Sequence, residues 1–300
     1  MNYFKLYFTV SLFIISLLSA NPPSLKDSLK TTIQHIIECI NGKIGVAVLG
    51  LENNDTLLIN GNDKFPMQSV FKFPLALAVL HQVDEGKLSL EQKIFVRKDE
   101  LLPNLWSPLR EKYPDGNINI TLDELLFYTV SMSDNSGCDI LFRLIGGPKI
   151  VDRYIHSLGI AEISIVSTEE EMQKEWGVQY NNWSSPAAMN QLLSLFFHDK
   201  ILSAKNKGYL WNIMVKTSTG SKRIKGLLPE GTIVAHKTGS SGTNSAGITA
   251  ATNDAGIVTL PNGNHFAIVV FVSNSKADEK ARESIISEIT KIVWNAYSNK

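Results

Sequence analysis

The sequence has little cysteine, no excess of either charge and only one long apolar run. Its 300 residues include two cysteines, 29 basic residues and 29 acidic residues. One cysteine pair cannot supply the several cross-links of a small disulfide-stabilised protein. The balanced charge and the 44% content of hydrophobic residues exclude a disordered acidic chain and give no support to nucleic-acid binding. The fold therefore depends on a large hydrophobic core.

Several catalytic and metal-binding patterns are also missing. The six histidines show neither H-x-H nor H-E-x-x-H spacing, and the sequence has no G-x-G-x-x-G, P-loop or G-x-S-x-G motif. We therefore predict no metal and no cofactor. Cys39 and Cys138 are not placed near each other by any sequence pattern. An exported chain could form a disulfide bond between them, but we favour two buried free thiols.

The long apolar run lies at the N-terminus. Lys5 precedes an apolar stretch over residues 6–18, and the small residues Ser19 and Ala20 follow it. This order is typical of a cleavable signal peptide, which we predict over residues 1–20. The alternative is a transmembrane anchor, but such an anchor needs about 20 apolar residues. No cysteine follows the run, so a lipid anchor has no attachment residue.

Hydrophobic periodicity predicts a helix, two strands, a long helical block, more strands and a last helix. The predicted helices cover residues 22–40, 71–84, 121–129, 137–145, 148–157, 186–197 and 276–297. The predicted strands cover residues 44–51, 56–59, 232–237, 247–251, 255–260 and 265–272. Short links between the strands favour antiparallel pairing.

This order predicts an α/β (α+β) chain of two domains. Residues 21–67 and 216–300 form one mixed domain, and residues 68–215 form an all-α domain inserted between them. A cleft between the two domains is the expected place for a functional site.

Three short motifs follow one another along the chain: Ser69-Val-Phe-Lys72, Ser133-Asp-Asn135 and Lys237-Thr-Gly239. The set S-x-x-K, S-D-N and K-T-G is found in class A β-lactamases and penicillin-binding proteins. Each motif alone is weak, and a second S-x-x-K occurs at Ser273-Asn-Ser-Lys276. Their joint occurrence, in this order, makes coincidence improbable.

The first motif places a serine and an amine on one face of a helix, one turn apart. A serine hydroxyl needs a neighbouring base to act as a nucleophile, and Lys72 can supply one if burial lowers its pKa. Each motif also has a purely structural interpretation. Ser69 could be a helix N-cap, S-D-N could be a turn that caps the next helix, and Lys237 could be a solvated edge-strand lysine.

Over essentially the whole mature sequence, the chain resembles a class A serine β-lactamase of the PER/VEB-like extended-spectrum subgroup. The stretches that carry the resemblance are residues 65–72, 128–135, 138–141, 219–226 and 234–239. The resemblance implies a β-lactamase/transpeptidase-like fold with a mostly five-stranded antiparallel sheet flanked by terminal helices. It also implies an Ω-like loop around residues 165–183, β-lactams as small-molecule substrates, and a periplasmic monomer without a stable membrane anchor.

The resemblance also implies the roles of individual residues. Ser69 is acylated, Lys72 helps to deprotonate it, and Ser133 passes a proton to the departing lactam nitrogen. The backbone N–H groups of Ser69 and Ser240 form an oxyanion hole. The substrate-contacting residues implied are Asn135 for the side-chain amide, Lys237, Thr238, Ser240 and Arg223 for the carboxylate, and Trp106 for the cleft rim.

The deacylating base of the family is a Glu on the Ω-like loop. Glu169, Glu170 and Glu171 are the candidates, and spacing to the downstream residues selects Glu169. Two positions depart from the family: Gln173 stands where an Asn or His is usual, and Asn182 stands where most of class A has an Asp that fixes the loop.

Two rival functions share the three motifs. A D,D-carboxypeptidase would bind penicillin as a slow inhibitor, and a β-lactam-sensing receptor domain would stay acylated. The presence of Glu169 and the short chain argue against the first, and the absence of an anchor after signal cleavage argues against the second. Favoured cleavage of cephalosporins is implied by the subgroup alone.

Overall fold

The computed structural model describes Met1 and residues 25–298, so nearly all of the predicted signal peptide lies outside the described residues. The helices in this part of the chain are α1 (Leu25–Glu38), α2 (Lys72–Asp84), α3 (Pro108–Lys112), α4 (Leu122–Ser131), α5 (Asn135–Ile145), α6 (Pro148–Ser157), α7 (Glu169–Lys174), α8 (Pro186–Phe197), α9 (Ala204–Val215) and α10 (Glu279–Ser298). The strands are β1 (Lys43–Gly50), β2 (Thr56–Ile59), β3 (Phe65–Pro66), β4 (Lys93–Val96), β5 (Ile118–Thr121), β6 (Ile163–Ser164), β7 (Trp183–Ser184), β8 (Val234–Ser240), β9 (Thr249–Thr259) and β10 (His265–Ser275). None of these helices is long and apolar enough to cross a membrane.

The main sheet has five strands in the order β2-β1-β10-β9-β8, and every neighbouring pair is antiparallel. The first and last parts of the chain meet at its centre, where Val46 pairs with Val270. At the edge, Lys237 on β8 pairs with Ala255 on β9. The predicted five-stranded antiparallel sheet, with terminal helices against it, is confirmed.

Both faces of this sheet are buried because side chains alternate along each strand. On one face, Val46 and Val48 join a hydrophobic cluster with Ile33 of α1 and Ile289 of α10. On the other face, Ala47 joins the larger cluster that includes the helices between β3 and β8. The sheet therefore provides a rigid base on which β8 presents the K-T-G residues.

One strand prediction was wrong: residues 247–251 and 255–260 belong to a single strand, β9. The polar pair Asn253-Asp254 suggests a turn, but both side chains are buried and bonded inside the strand. Asn253 donates to the carbonyl of Pro66 at 2.7 Å, and Asp254 lies 2.9 Å from His236 Nδ1. Long-range partners of this kind override the local turn preference.

The middle block also differs from the all-α prediction. Strands β4 and β5 pair with each other, and β3, β7 and β6 form a second small sheet. These strands have only two to four residues each, too few for a period-of-two pattern to emerge. A 3-10 turn over Gln68–Phe71 leads into α2, whose third residue, Pro74, has no N–H to donate to the carbonyl of Val70.

Both cysteines are free thiols, as predicted, but only Cys138 is buried. The prediction that Cys39 is also buried was wrong. Cys39 follows the last turn of α1, where its thiol lies 3.3 Å from the carbonyl oxygen of His35 and the chain is exposed. Burial raises the pKa of the Cys138 thiol well above its usual value.

Candidate active site

The first motif lies where the 3-10 turn meets α2. Lys72 is fully buried, and its Nζ donates to Ser69 Oγ at 2.9 Å. Ser69 is not a helix cap, since the N-cap residues of the 3-10 turn and of α2 are Met67 and Phe71. The Lys72 amine is held against the Ser69 hydroxyl, which is the arrangement that activation of a serine nucleophile requires.

Lys72 joins three parts of the chain at one nitrogen. Its Nζ donates to the carbonyl oxygen of Ser133 at 2.9 Å and to Asn135 Oδ1 at 2.5 Å. It also lies 2.8 Å from Glu169 Oε1, and both side chains of this ion pair are buried. An ammonium has three N–H donors, so these four contacts keep Lys72 Nζ fixed beside Ser69.

In the S-D-N motif, one residue caps a helix and the other two contact lysines of the site. Asp134 is the N-cap of α5 and accepts from the backbone N–H groups of Gly137 at 2.7 Å and Leu109 at 2.6 Å. Burial raises the pKa of Asp134 above its usual value. Ser133 has a left-handed backbone, with φ of 59°. The capping interpretation therefore holds for Asp134, whereas Ser133 and Asn135 contact lysines of the site.

Among the three consecutive glutamates, only Glu169 is brought to Lys72. It begins α7 and is 4% exposed. Glu170 is exposed and pairs with Lys174 at 3.0 Å. Glu171 is also exposed, and its carboxylate accepts from the N-cap residue of α7. Of the three glutamates, Glu169 is the one that lines the cleft beside Lys72.

Sequence reasoning missed Asp139, which lies on α5 one turn after the S-D-N motif. Its carboxylate accepts the backbone N–H of Glu169 at 2.8 Å and that of Glu170 at 2.9 Å. Burial and the negative charge of Glu169 raise the pKa of Asp139 to about 7. The residue forms part of the stretch 138–141, but no local signal indicates that it holds the start of α7.

The far end of the Ω-like loop is held by Asn182, which is fully buried. Its Oδ1 accepts the backbone N–H groups of Val166 at 2.8 Å and Ser167 at 2.9 Å, and its Nδ2 donates to the carbonyl of Ser167 at 2.8 Å. An amide supplies both the acceptor and the donor that this geometry needs. Asn182 therefore ties the two ends of the loop without a salt bridge, while Gln173 is exposed and lines the cleft.

The K-T-G lysine is buried behind the second motif. Lys237 Nζ donates to Ser133 Oγ at 2.9 Å and to the carbonyl of Thr238 at 3.1 Å. Burial, aided by the positive charge of Lys72, lowers the pKa of Lys237 well below its usual value. The alternative interpretation of Lys237 as a solvated edge-strand lysine does not hold, because its side chain is fully buried.

Arg223 reaches the end of β8 from the segment before it. Its Nη2 donates to Ser240 Oγ at 2.7 Å, and its Nη1 donates to the carbonyls of Asn253 at 2.9 Å and Gly239 at 3.2 Å. Glu283 of α10 pairs with Arg223 Nε at 3.1 Å. The guanidinium is therefore rigid, buried and adjacent to Ser240. The hydroxyl of Thr238, also on β8, lies 2.5 Å from Thr219 Oγ1.

Four of the predicted site residues line one cleft, and Lys72 contacts three of them. A cavity of about 250 Å³ is bordered by Ser69, Asn135, Glu169 and Ser240, with the Ω-like loop on one side. Trp106 lies beside the second motif, 57% exposed, with Nε1 donating to the carbonyl of Met132 at 3.1 Å. Within residues 25–298, no group of three or more His, Cys, Asp or Glu side chains is arranged to hold a metal ion.

The family model described as the Beta-lactamase enzyme family matches residues 28–297. The chain belongs to the β-lactamase enzyme family. It is 50% identical to "Beta-lactamase VEB-1" of Pseudomonas aeruginosa, covering 91% of this chain and 92% of that protein. It is 43% identical to "Extended-spectrum beta-lactamase PER-1" of the same organism, covering 95% and 92%.

Solved β-lactamase structures agree with this assignment. The TLA-1 extended-spectrum β-lactamase superimposes with a TM-score of 0.90 at 56% identity, covering 91% of this chain and 99% of that one. A class A β-lactamase from Bacteroides cellulosilyticus gives 0.89 at 40% identity, covering 93% and 100%. The resemblance to class A enzymes of the PER/VEB-like subgroup is confirmed, and the chain is an enzyme of the β-lactamase class.

Proposed function

We propose that this β-lactamase opens the β-lactam ring through an acyl-enzyme on Ser69, which a water activated by Glu169 then hydrolyses. The observation that carries the proposal is the position of Lys72, whose Nζ lies 2.9 Å from Ser69 Oγ and 2.8 Å from Glu169 Oε1. One buried amine thus contacts the nucleophile and the base. The two groups that act in successive steps share one proton network.

In the first step, Ser69 Oγ attacks the lactam carbonyl carbon and its proton passes to the Lys72–Glu169 pair. The Glu169 carboxylate lies 2.8 Å from Lys72 Nζ, so a proton taken from Ser69 Oγ by way of the amine can rest on the carboxylate. The carbonyl oxygen becomes negative and is stabilised by the backbone N–H groups of Ser69 and Ser240.

Collapse of the tetrahedral intermediate breaks the bond between the carbonyl carbon and the ring nitrogen. Ser133 Oγ gives its proton to that nitrogen, and the proton network restores it to Ser133. Lys237 Nζ donates to this hydroxyl at 2.9 Å, so the developing negative charge on Ser133 is compensated. The product of this step is an ester on Ser69 and a ring-opened amine.

In the second step, a water attacks the ester carbonyl and Glu169 takes its proton. Ser69 leaves as the alcohol when a proton returns to it, and a carboxylic acid is released. Asp139 and Asn182 support this step, because they hold the two ends of the loop that carries Glu169. The position of the base is therefore fixed before substrate arrives.

Substrate binding follows from the charge at the end of β8. Lys237, Thr238 and Ser240 meet the carboxylate that β-lactams carry, and Arg223 adds a rigid guanidinium beside Ser240. Asn135 holds the side-chain amide of the substrate and Trp106 covers the rim of the cleft. Cephalosporins are the proposed favoured substrates, supported by similarity to extended-spectrum enzymes.

The proposal extends to the state of the mature protein. Its basic, apolar and small residues over positions 1–20 support cleavage of a signal peptide and export to the periplasm. We place the boundaries between the mixed domain and the inserted domain near residues 67 and 216. We also propose that the mature chain is a monomer without a stable membrane anchor.

The test combines ring opening with intact mass. Residues 21–300 are mixed with excess chromogenic cephalosporin. Ring opening is followed by absorbance, and the intact mass of the protein is recorded in parallel. Sustained turnover by the natural sequence, lost in Ser69→Ala, is the expected result. A single stoichiometric burst with a permanently increased mass would instead indicate a penicillin-binding enzyme or a sensor. Turnover retained in Ser69→Ala would overturn the nucleophile.

A further inference from the structure

The residue before the nucleophile has an unusual backbone conformation. Gln68 has φ of 48°, in the left-handed region that side-chain-bearing residues rarely adopt. It is 8% exposed, although a glutamine carries a polar amide. Strained backbone of this kind persists only where surrounding contacts hold it. The contacts of the Gln68 side chain therefore bear on the geometry of Ser69.

The Gln68 amide is bonded to the Ω-like loop. Its Nε2 donates to Gln179 Oε1 at 2.5 Å, and Gln179 is itself 6% exposed. Gln179 Nε2 donates to the carbonyl of Trp176 at 2.8 Å. Because that bond requires the nitrogen of Gln179, its oxygen must face Gln68, and the orientation of both amides is determined.

This bond acts at a part of the loop that the other anchors do not reach. Asp139 holds the start of α7 and Asn182 holds the end of the loop, whereas Gln179 lies in the 3-10 turn between them. On that turn, Tyr180 bonds outward to Asn274 rather than to the cleft. The Gln68–Gln179 bond thus connects the middle of the loop to the nucleophile turn.

We propose that Gln68 and Gln179 form a positioning pair that fixes Glu169 relative to Ser69 for hydrolysis of the acyl-enzyme. The inference rests on the proposed roles of Ser69 and Glu169. Hydrolysis needs a water in contact with the ester on one residue and the base on the other, so it depends directly on the distance between them. Acylation depends more on Lys72, which is also held by Ser133 and Asn135 away from the loop.

The experiment replaces each glutamine by methionine, which is similar in length but lacks the amide. Gln68→Met, Gln179→Met and the double variant are compared with Gln191→Met, an exposed glutamine on α8. Stopped-flow absorbance with a chromogenic cephalosporin separates acylation from deacylation, and intact mass measures the acylated fraction. Urea unfolding shows that each variant is folded at the assay temperature.

Each single variant is expected to slow deacylation by about 10- to 100-fold, the effect of displacing a reacting group by roughly 1 Å. Acylation should change by less than about twofold, so the acylated fraction rises. The double variant should be no slower than the slower single variant, because both remove the same interaction. Gln191→Met should behave as the natural sequence.

Unchanged deacylation in both single variants would overturn the positioning pair, and so would strictly additive effects or equal slowing of both steps. If a methionine variant does not fold, the deacylation rates of two glutamate variants test the positioning pair instead. Gln68→Glu places two acceptors opposite each other and should slow deacylation, whereas Gln179→Glu keeps the acceptor for Gln68, loses only the bond to the carbonyl of Trp176, and should slow deacylation less. The reverse order would refute the pair. A natural sequence that never turns over would refute the proposed function itself.

Discussion

Asp139 accepts a hydrogen bond from the backbone N–H of Glu169 over 2.8 Å, although 30 residues separate them in the chain. The carboxylate lies on the helix of the S-D-N motif, and the N–H lies on the loop that carries the base. Two of the three regions of the site are thereby joined without a substrate. Similar contacts hold the other parts of the site, and their removal should have measurable effects.

Asp139→Asn tests this joint. The amide retains one acceptor for the N–H of Glu169 but presents an N–H group to that of Glu170, so the start of α7 loosens. We expect deacylation to slow by about tenfold, because small displacements of a base are costly. Pre-steady-state kinetics with a chromogenic cephalosporin measures the step. A rate equal to that of the natural sequence would show that the contact does not position Glu169.

Asp139 should also give the stability of the protein a pH dependence. Its pKa rises from the ordinary 3.8 to about 7 in the fold, so the folded state binds this proton more tightly than the unfolded state. Its contribution to the free energy of unfolding is thus present below about pH 4 and is lost as pH rises to about 7. The free energy of unfolding of Asp139→Asn, relative to that of the natural sequence, should therefore increase between about pH 4 and about pH 7. Urea titrations across this range measure the difference, and a constant difference would contradict the assignment.

Arg223→Lys tests whether the guanidinium is needed for the carboxylate pocket. Lysine carries its donors on one nitrogen, so it cannot reproduce the planar guanidinium that reaches Ser240 from Nη2 and both Asn253 and Gly239 from Nη1. We expect KM for cephalosporins to rise by about tenfold, the loss of roughly one charge-assisted hydrogen bond. Steady-state kinetics gives KM and kcat, and Arg153→Lys, on the exposed side of α6, is the control. An unchanged KM would remove Arg223 from substrate binding.

Asn182→Asp tests the amide that closes the loop. A carboxylate can still accept from Val166 and Ser167 but cannot donate to the carbonyl of Ser167, which it would repel. We expect a loss of about 1–3 kcal/mol in the free energy of unfolding, typical of an unsatisfied buried polar group. Urea unfolding measures this loss, with the exposed Asn181→Asp as the matched variant. Equal stability of the two variants would show that the donor of Asn182 has no role.

The pH profile of the enzyme should reflect Lys237. Burial lowers its pKa, so its positive charge is lost as pH rises through a value well below the ordinary 10.5. Binding of the substrate carboxylate weakens with that charge, and kcat/KM should fall on the alkaline side. In Lys237→Arg the guanidinium stays protonated, so this limb should move to higher pH. The exposed Lys280→Arg should not move it, and coincident profiles for both variants would refute the assignment.

Much of the fold and the motif residues could be predicted from the sequence because their signals are local. Periodicity located α1, β1 and α10, and the three motifs placed Ser69, Ser133 and Lys237 in chain order. The strand β9 was divided in two because the polarity of Asn253 and Asp254 is satisfied only by distant partners. Sequence patterns do not encode such pairings.

The contacts that support the site could not be predicted from the sequence, because they also join residues far apart in the chain. Asp139 is one of many acidic residues on a helix until α7 is folded against it, and its role depends on two backbone N–H groups far along the chain. Gln68 and Gln179 are 111 residues apart, and glutamine carries no motif signal. The residues proposed to react carry motif signals in the sequence, whereas the residues that hold them required the structure.

Glu169 is proposed to activate the water that releases the acyl-enzyme. Glu169→Gln and Glu170→Gln are each mixed with excess cephalosporin, and intact mass is recorded through time. Glutamine cannot take a proton from water, so the account predicts that acylated protein accumulates in Glu169→Gln, while Glu170→Gln, altered at an exposed ion pair, continues to turn over. Turnover at the natural rate in Glu169→Gln, or accumulation in Glu170→Gln instead, would contradict it.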